Sequence, residues 1–258
     1  LPLQLIVDHP SVRQLAQALA APQAAEGVLL PLSRDMQAPR LYVAASGHGD
    51  VLRLQALARA LEGRLSVLML QPPREAPVQM EALAEVYADA VASESPRRFW
   101  LAGFSVGGVS ALACCRALES RGLAPQGLVL LDSIHPDAVI GGTSSWRALG
   151  WLVRRLHVQD LSMNGRRLGA MFADPGLVTQ VMALRGHRCE PCASPVWLFK
   201  TTGLLRWNRL LFQGWQRLFG DRLHCGVVRG LHGSMFEPEH VQPLADSLLA
   251  LTQSGTGP

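Results

Sequence analysis

Short apolar runs alternate with amphipathic stretches along most of the chain from Val28 onward. Each run is bounded by glycine, proline or polar residues, which is typical of strands buried on both faces of a parallel sheet. The predicted strands are Leu41–Ala45, Leu65–Leu70, Phe99–Phe104, Leu128–Leu131, Val196–Lys200 and Cys225–Val228. Apolar residues at helical spacing predict the intervening helices Val51–Leu61, Met80–Ser93, Val106–Ser120 and Val241–Thr252. This alternation predicts an α/β fold with a mostly parallel central sheet and helices on both faces.

The pattern divides the chain into sections. Residues 1–20 predict a short helix that starts near Pro10 and Ser11, and residues 21–27 form a linker rich in small residues. The main domain is expected to cover residues 28–258. Its alternation breaks at about residues 136–194, where the pattern is helical. A structureless loop of that length is improbable in a compact domain, so we expect an inserted helical lid.

Composition narrows the class of protein. The chain has 258 residues, of which 48% are hydrophobic and 17% charged, the balance of a globular protein with a sizeable core. The net charge is only +4, and the basic residues are spread along the chain instead of forming a dense stripe. Both features argue against a nucleic-acid partner. No apolar run reaches the roughly 20 residues of a membrane span. The N-terminus has neither a signal-peptide pattern nor an initiator Met, so we expect a piece of a longer protein. Five irregularly spaced cysteines favour reduced thiols and thus a cytoplasmic protein.

The strongest chemical signal is the segment Gly103–Gly108, with the sequence GFSVGG, between a predicted strand and a predicted helix. A nucleophilic serine on a sharp strand-to-helix turn needs small neighbours, here Gly103 and Gly107, because the turn is strained and the helix packs closely. The turn exposes the hydroxyl at a helix N-terminus, where the helix dipole favours developing negative charge. The segment therefore predicts Ser105 as a nucleophile.

A serine nucleophile needs an imidazole base and a carboxylate that orients the base. On this fold the partners follow in the order serine, acid, histidine, each after a later strand. Asp132 ends the next predicted strand, whereas the alternative acid, Asp137, lies in the insertion. Of eight histidines, His232 lies on a loop between the last strand and the last helix. The competing histidines are His135, His224 and His240.

An oxyanion hole needs two backbone N–H groups. One is predicted from Val106, the residue after the nucleophile, and the other from the turn that follows the first main strand. We expect Gly47 in that turn, because glycine lets the backbone approach a substrate carbonyl closely. The neighbouring His48 is interpreted as a loop residue at the rim of the site.

Two other features have simpler interpretations. Cys189 and Cys192 form a C-x-x-C pattern, but no second pair completes a zinc site and a strand rather than a helix follows. We therefore expect no metal, and reduced thiols throughout. The insertion is rich in arginine, which favours solvated helix faces; the alternative is a surface that docks an acidic carrier domain or steers an anionic substrate. The arginines are at positions 147, 154, 155, 166, 167, 185 and 188.

Taken together, these residues resemble the C-terminal thioesterase domains of modular nonribosomal peptide synthetases and polyketide synthases, which have the α/β-hydrolase fold. The likeness covers Val28 to the last helix. Residues 1–20 look like the last helix of a carrier domain. Many relatives have His-Pro or His-Gly in the turn after the first main strand, where this chain has Ala45, Ser46 and Gly47. The identity of the second oxyanion donor therefore stays open. The matching segments are Leu41–Gly49, Leu57–Leu61, Gly103–Gly108, Leu130–Ser133, Ser194–Phe199 and Gly230–His232.

The resemblance implies that an upstream carrier domain, in cis, presents an acyl or peptidyl chain on phosphopantetheine. Ser105 would accept that chain, and water or an internal amine or hydroxyl would release it. A stand-alone editing thioesterase, a carboxylesterase or a lipase-like serine hydrolase are alternatives that share the nucleophilic turn. A non-catalytic carrier-binding module would be expected to lack one of the three catalytic residues.

Overall fold

A computed structural model describes residues 11–14, 27–47, 50–73, 77, 79–137, 174–184, 186–203 and 208–254. Most of the proposed carrier helix, the linker and residues 138–173 of the insertion lie outside the described residues. The boundaries of these sections therefore stay predictions.

A mostly parallel sheet of seven strands forms the centre of the described part of the chain, in the order β1-β3-β2-β4-β5-β6-β7. Only β1 runs antiparallel, against β3. The predicted α/β-hydrolase fold class is confirmed. The strands are β1 (Leu29–Pro31), β2 (Arg40–Ala44), β3 (Ser66–Leu70), β4 (Phe99–Phe104), β5 (Leu128–Leu131), β6 (Val196–Thr201) and β7 (Leu223–Val228).

Helices cover both faces of this sheet, as the alternating pattern predicted. They are α1 (Val51–Leu61), α2 (Met80–Ser93), α3 (Gly107–Ser120), α4 (Pro175–Ala183), α5 (Asn208–Phe219) and α6 (Pro238–Ser254). The bounds of α1 and α2 are those predicted, and α3 begins one residue later. The sequence pattern missed β1 and α5. The first is three residues long, and the second lies between β6 and β7 where no helix was predicted.

Two apolar cores result, one on each face of the sheet. Side chains of α2, α3 and α5 contribute to one core, and those of α1 and α6 to the other. Alternate residues of a strand point to opposite cores: Tyr42 lies in the first and Val43 in the second, both fully buried. Because β2, β4, β5 and β6 are parallel, their carboxyl ends meet at one edge, where ligand sites of open α/β sheets form.

None of the helices in the described ranges is long and apolar enough to cross a membrane.

Candidate active site

The segment around Ser105 forms a sharp turn between β4 and α3. Ser105 has a φ of +55°, a conformation that costs a side-chain-bearing residue roughly 1–2 kcal/mol. Its backbone N–H donates to Leu131 O of the neighbouring strand at 3.0 Å, which anchors the turn. A Cβ at Gly103 would overlap the backbone of Gly107, and one at Gly107 would overlap Ala44 O. The two glycines are thus required by close backbone packing, as the sequence pattern predicted.

Asp132 follows β5 and is fully buried, with a φ of +48°. Its carboxylate accepts two hydrogen bonds from Thr201 at the end of β6: from the backbone N–H at 2.8 Å and from Oγ1 at 2.9 Å. Its own N–H donates to Phe199 O at 2.7 Å. A buried carboxylate needs such partners, since desolvation without them would be costly. The contacts fix one oxygen toward His232.

His232 lies between Asp132 and Ser105. Its Nδ1 is 2.7 Å from Asp132 Oδ2, and its Nε2 is 3.0 Å from Ser105 Oγ. The ring stacks on Phe104, with centroids 4.9 Å apart, and Phe104 in turn meets Phe236 edge-on. Stacking on Phe104 and the loop after β7 therefore hold the imidazole between the serine and the acid.

These contacts assign the protons. A carboxylate only accepts hydrogen bonds, so the short contact to Asp132 requires the hydrogen of His232 on Nδ1. Nε2 then has the lone pair that accepts a hydrogen bond from the Ser105 hydroxyl. This arrangement can move the serine proton to the imidazole as Oγ attacks an electrophile, and the buried acid stabilises the resulting cation.

The competing residues lie elsewhere. Asp137 is exposed and pairs with Arg217, and His135 accepts a hydrogen bond at Nδ1 from the Asp137 N–H. His135 is buried against Trp215, and this burial lowers its pKa, although Asp137 acts in the opposite sense. His224 stacks on Trp197.

The predicted oxyanion donors lie on two adjoining turns. Val106 stands at the start of α3, and Gly47 follows β2. In the second turn the N–H of Ala45 donates to Leu70 O and that of Ser46 donates to Asp50 Oδ2, so both are occupied. No described residue accepts from the N–H of Gly47. The turn therefore offers Gly47 as the N–H for a ligand, while its role as a donor stays a prediction.

The insertion also reaches this turn. A Cβ at Gly47 would lie 2.7 Å from Asp174 Oδ2, so the glycine leaves room for that carboxylate. Asp174 caps α4, since its Oδ1 accepts from Gly176 N at 2.8 Å and Leu177 N at 3.2 Å. The neighbouring His48 lies outside the described residues.

Cys192 of the C-x-x-C pattern lies close to Cys115 and Glu119, two residues that the spacing of the pattern does not predict. The sulfurs of Cys115 and Cys192 and a carboxylate oxygen of Glu119 lie within 4.8 Å of one another, the one such group in the described ranges. Glu119 already accepts from the N–H groups of Ala193 and Ser194 and from Ser194 Oγ. A hydrogen bond with Cys192 and burial raise the pKa of Cys115, which favours the thiol over the metal-binding thiolate.

Sequence reasoning missed three supporting residues: Thr201, Trp215 and Gln180. Thr201 could have been found, because it ends the strand after the one that carries the acid. Trp215 Nε1 donates to Ser133 O at 2.8 Å beside the acid, from the helix that was not predicted. Gln180, which contacts the turn of Gly47, carries no recognisable motif.

A parallel sheet with a serine on a strained turn, and an imidazole and a carboxylate after later strands, defines the chain as an α/β-hydrolase-fold protein. Comparison with known proteins narrows this class. A family model described as "Thioesterase domain" matches residues 39–250, and the chain belongs to that family.

Individual relatives agree with this assignment. The chain is 27% identical over 273 residues to the non-reducing polyketide synthase rads2 of Floropilus chiversii, covering 81% of the chain but 13% of the synthase. Among solved structures, the NocB thioesterase domain of the nocardicin cluster superposes with a TM-score of 0.66 at 22% identity, over 88% of this chain and 99% of that one. The four-domain nonribosomal peptide synthetase AB3403 superposes with a TM-score of 0.72 at 21% identity, covering this chain fully and 22% of its own length.

Proposed function

We propose that the domain releases acyl or peptidyl chains from a carrier protein through an ester on Ser105. The observation that carries this proposal is the continuous hydrogen-bonded row from Ser105 through His232 to Asp132. Family membership supplies the reaction class, thioester cleavage. Ser105 supplies the nucleophile and His232 the base, while Asp132 orients and stabilises the imidazole.

In the first half-reaction, Ser105 Oγ attacks the thioester carbonyl and His232 Nε2 takes its proton. The carbonyl oxygen becomes an oxyanion, which the N–H groups of Val106 and Gly47 stabilise. The intermediate then collapses with cleavage of the C–S bond. His232 returns the proton to the departing sulfur, and the chain remains on Ser105 as an ester.

In the second half-reaction, His232 takes a proton from water, or from an amine or hydroxyl of the chain itself. The new oxygen or nitrogen attacks the ester carbonyl, the bond to Ser105 Oγ breaks, and His232 returns the proton to the serine. Water gives a free acid, and an internal nucleophile gives a ring. The same residues serve both outcomes, so the choice between them is expected to depend on the substrate cavity that the predicted lid would shape.

The donor of the chain is proposed to be the phosphopantetheine arm of a carrier domain upstream in the same protein. The similarity in fold to part of a four-domain nonribosomal peptide synthetase supports this arrangement. Polyketide synthases among the relatives support it too. We also propose a cytoplasmic location, because an odd number of irregularly spaced cysteines in a chain of this size is typical of reduced thiols in a reducing compartment.

The test is mass spectrometry of the intact protein after incubation with an acyl-N-acetylcysteamine thioester. Wild type should gain the mass of the acyl group, or release product, and Ser105→Ala should do neither. Ser93→Ala, which changes an exposed serine at the end of α2, should behave as wild type. Equal turnover by wild type and Ser105→Ala would show that another residue is the nucleophile.

A further inference from the structure

Gln180 is a fully buried glutamine on α4, the described helix at the end of the insertion. Its Nε2 donates to Ala45 O at 2.5 Å, and its Oε1 accepts from Ser110 Oγ at 2.5 Å. The orientation of the amide is fixed by chemistry, because a backbone carbonyl only accepts hydrogen bonds and so requires the NH2 group. Gln180 therefore joins the turn after β2 to the helix that begins at the nucleophile.

The contact at Ala45 controls the orientation of one peptide group. Ala45 C=O and Ser46 N–H belong to the same planar peptide. Gln180 holds its oxygen, and Asp50 Oδ2 accepts from its N–H at 2.8 Å. Two residues further on, the carbonyl of Gly47 accepts from Asp50 N at 3.2 Å. The peptide that carries the Gly47 N–H lies between these two held peptides, which restricts its orientation.

The contact at Ser110 connects Gln180 to α3, whose start carries the other predicted N–H donor, Val106. Ser110 is fully buried on α3, one turn after Val106. The two turns also touch directly, since a Cβ at Gly107 would overlap Ala44 O. A side-chain bridge from Ala45 through Gln180 to Ser110 thus adds to backbone packing, and both constrain the turn of Gly47 relative to the start of α3, where Val106 lies.

We infer that Gln180 is a positioning residue that aligns the two N–H donors of the oxyanion hole and so links the insertion to catalysis. This inference rests on the proposed function. Misplacing a reacting group by about 1 Å can lower a rate about 100-fold, so loss of the bridge should act mainly on the chemical step. Substrate binding outside the hole should change little.

The test compares Gln180→Met, which keeps an unbranched side chain but removes both hydrogen bonds, with Gln213→Met, the same change at an exposed position on α5. With an acyl-N-acetylcysteamine thioester, Gln180→Met should acylate Ser105 about 10- to 100-fold more slowly, with KM nearly unchanged. In the acyl-enzyme, the infrared band of the ester carbonyl should move to higher wavenumber, because its hydrogen bonds weaken. Gln213→Met should match wild type in both measurements.

Gln180→Glu tests the same bond within one folded protein. When protonated, the new side chain can still donate to Ala45 O, and when ionised it cannot. Its acylation rate relative to wild type at the same pH should therefore fall as the pH rises, with a parallel shift of the ester band.

The outcomes separate this inference from the proposed function. If the variants change only the melting temperature, while the acylation rate and ester band stay those of wild type, Gln180 has a structural role only and the inference is wrong. If wild type itself forms no ester at Ser105, the proposed function fails and the inference fails with it.

Discussion

The carboxylate of Asp132 accepts three hydrogen bonds. Its two oxygens accept from Thr201 and His232, and its backbone lies in the left-handed region. Asparagine tolerates that region better than most residues, so an amide at this position should preserve the fold. Catalytic activity should fall, because an amide group can donate a hydrogen bond toward His232 and favour the tautomer with the hydrogen on Nε2.

We therefore expect Asp132→Asn to lower kcat by about 10³- to 10⁴-fold with a small change in melting temperature. Thr201→Val, which removes one of the two hydrogen bonds from Thr201, should have a smaller effect of the order of tenfold. The measurement is steady-state hydrolysis of an acyl-N-acetylcysteamine thioester. Asp137→Asn is the matched control and should retain full activity. The assignment of the acid would be wrong if Asp137→Asn lost activity and Asp132→Asn kept it.

At the scale of elements, α5 supports the acid from one side of the sheet. Trp215 is fully buried and donates to Ser133 O, the residue after the acid. The adjacent Gly214 leaves room for His135, whose ring a Cβ there would overlap. A helix placed this closely over the loop after β5 limits how far Asp132 can move.

Trp215→Phe should lower both stability and activity. The loss of volume should destabilise the fold by about 1–2 kcal/mol, and the unpaired Ser133 carbonyl by about another 1 kcal/mol. Trp100→Phe removes the same volume from the other core, where no hydrogen bond of the indole is found among described residues. Urea unfolding should show that both variants lose stability. Measurement of kcat should show that only Trp215→Phe loses activity. Equal kcat values would contradict a supporting role for α5.

The element pattern explains what could be predicted from the sequence. Strands β2 to β7 contain short apolar runs bounded by glycine, proline or polar residues, and helices α1, α2, α3 and α6 have apolar residues at helical spacing, so these segments alone indicate both type and position. Strand β1 has three residues and pairs antiparallel at the sheet edge, which leaves too few positions for a period. Helix α5 was missed although its apolar residues Phe212, Trp215 and Phe219 face the core at helical spacing.

The residues of the site also divide into those that the sequence could predict and those that it could not. Ser105, Asp132 and His232 each follow a strand, so their convergence could be predicted from the topology. The contacts of Gln180 and Glu119 could not, because they join residues 135 and 74 positions apart through side chains that belong to no motif. Hydrogen bonds of this kind depend on the packing of whole elements, which periodicity does not determine.

On the scale of the whole molecule, Glu119 links α3, the helix that follows Ser105, to β6, the strand that ends at Thr201. It lies near the end of α3 and accepts hydrogen bonds from Ala193 and Ser194, just before β6. The other ends of these two elements carry Ser105 and Thr201. Although burial acts to raise it, the hydrogen bonds from Ala193 and Ser194 lower the pKa of Glu119 overall.

A lowered folded-state pKa means that Glu119 stabilises the fold above its unfolded pKa of about 4.3 and loses this contribution as the pH falls through the folded value. Glu119→Gln should be less stable than wild type at pH 7, by about 1 kcal/mol since the carboxylate is partly exposed to solvent. The difference should shrink below about pH 4. Thermal melting from pH 7 to pH 3 measures this, with the exposed Asp246→Asn as control. A difference that stays constant with pH would show that the charge of Glu119 does not matter.

The left-handed backbone at Ser105 and Asp132 has a consequence for how such a domain changes under selection. Glycine at position 105 would relieve the strain, and asparagine at position 132 would fit its backbone at least as well as aspartate. Mutants chosen for heat tolerance alone would thus gain stability at position 105 and lose little at position 132, the two positions where the proposed chemistry resides. Their present residues would persist only under continuous selection for turnover, and a copy without that selection would become inactive without losing stability.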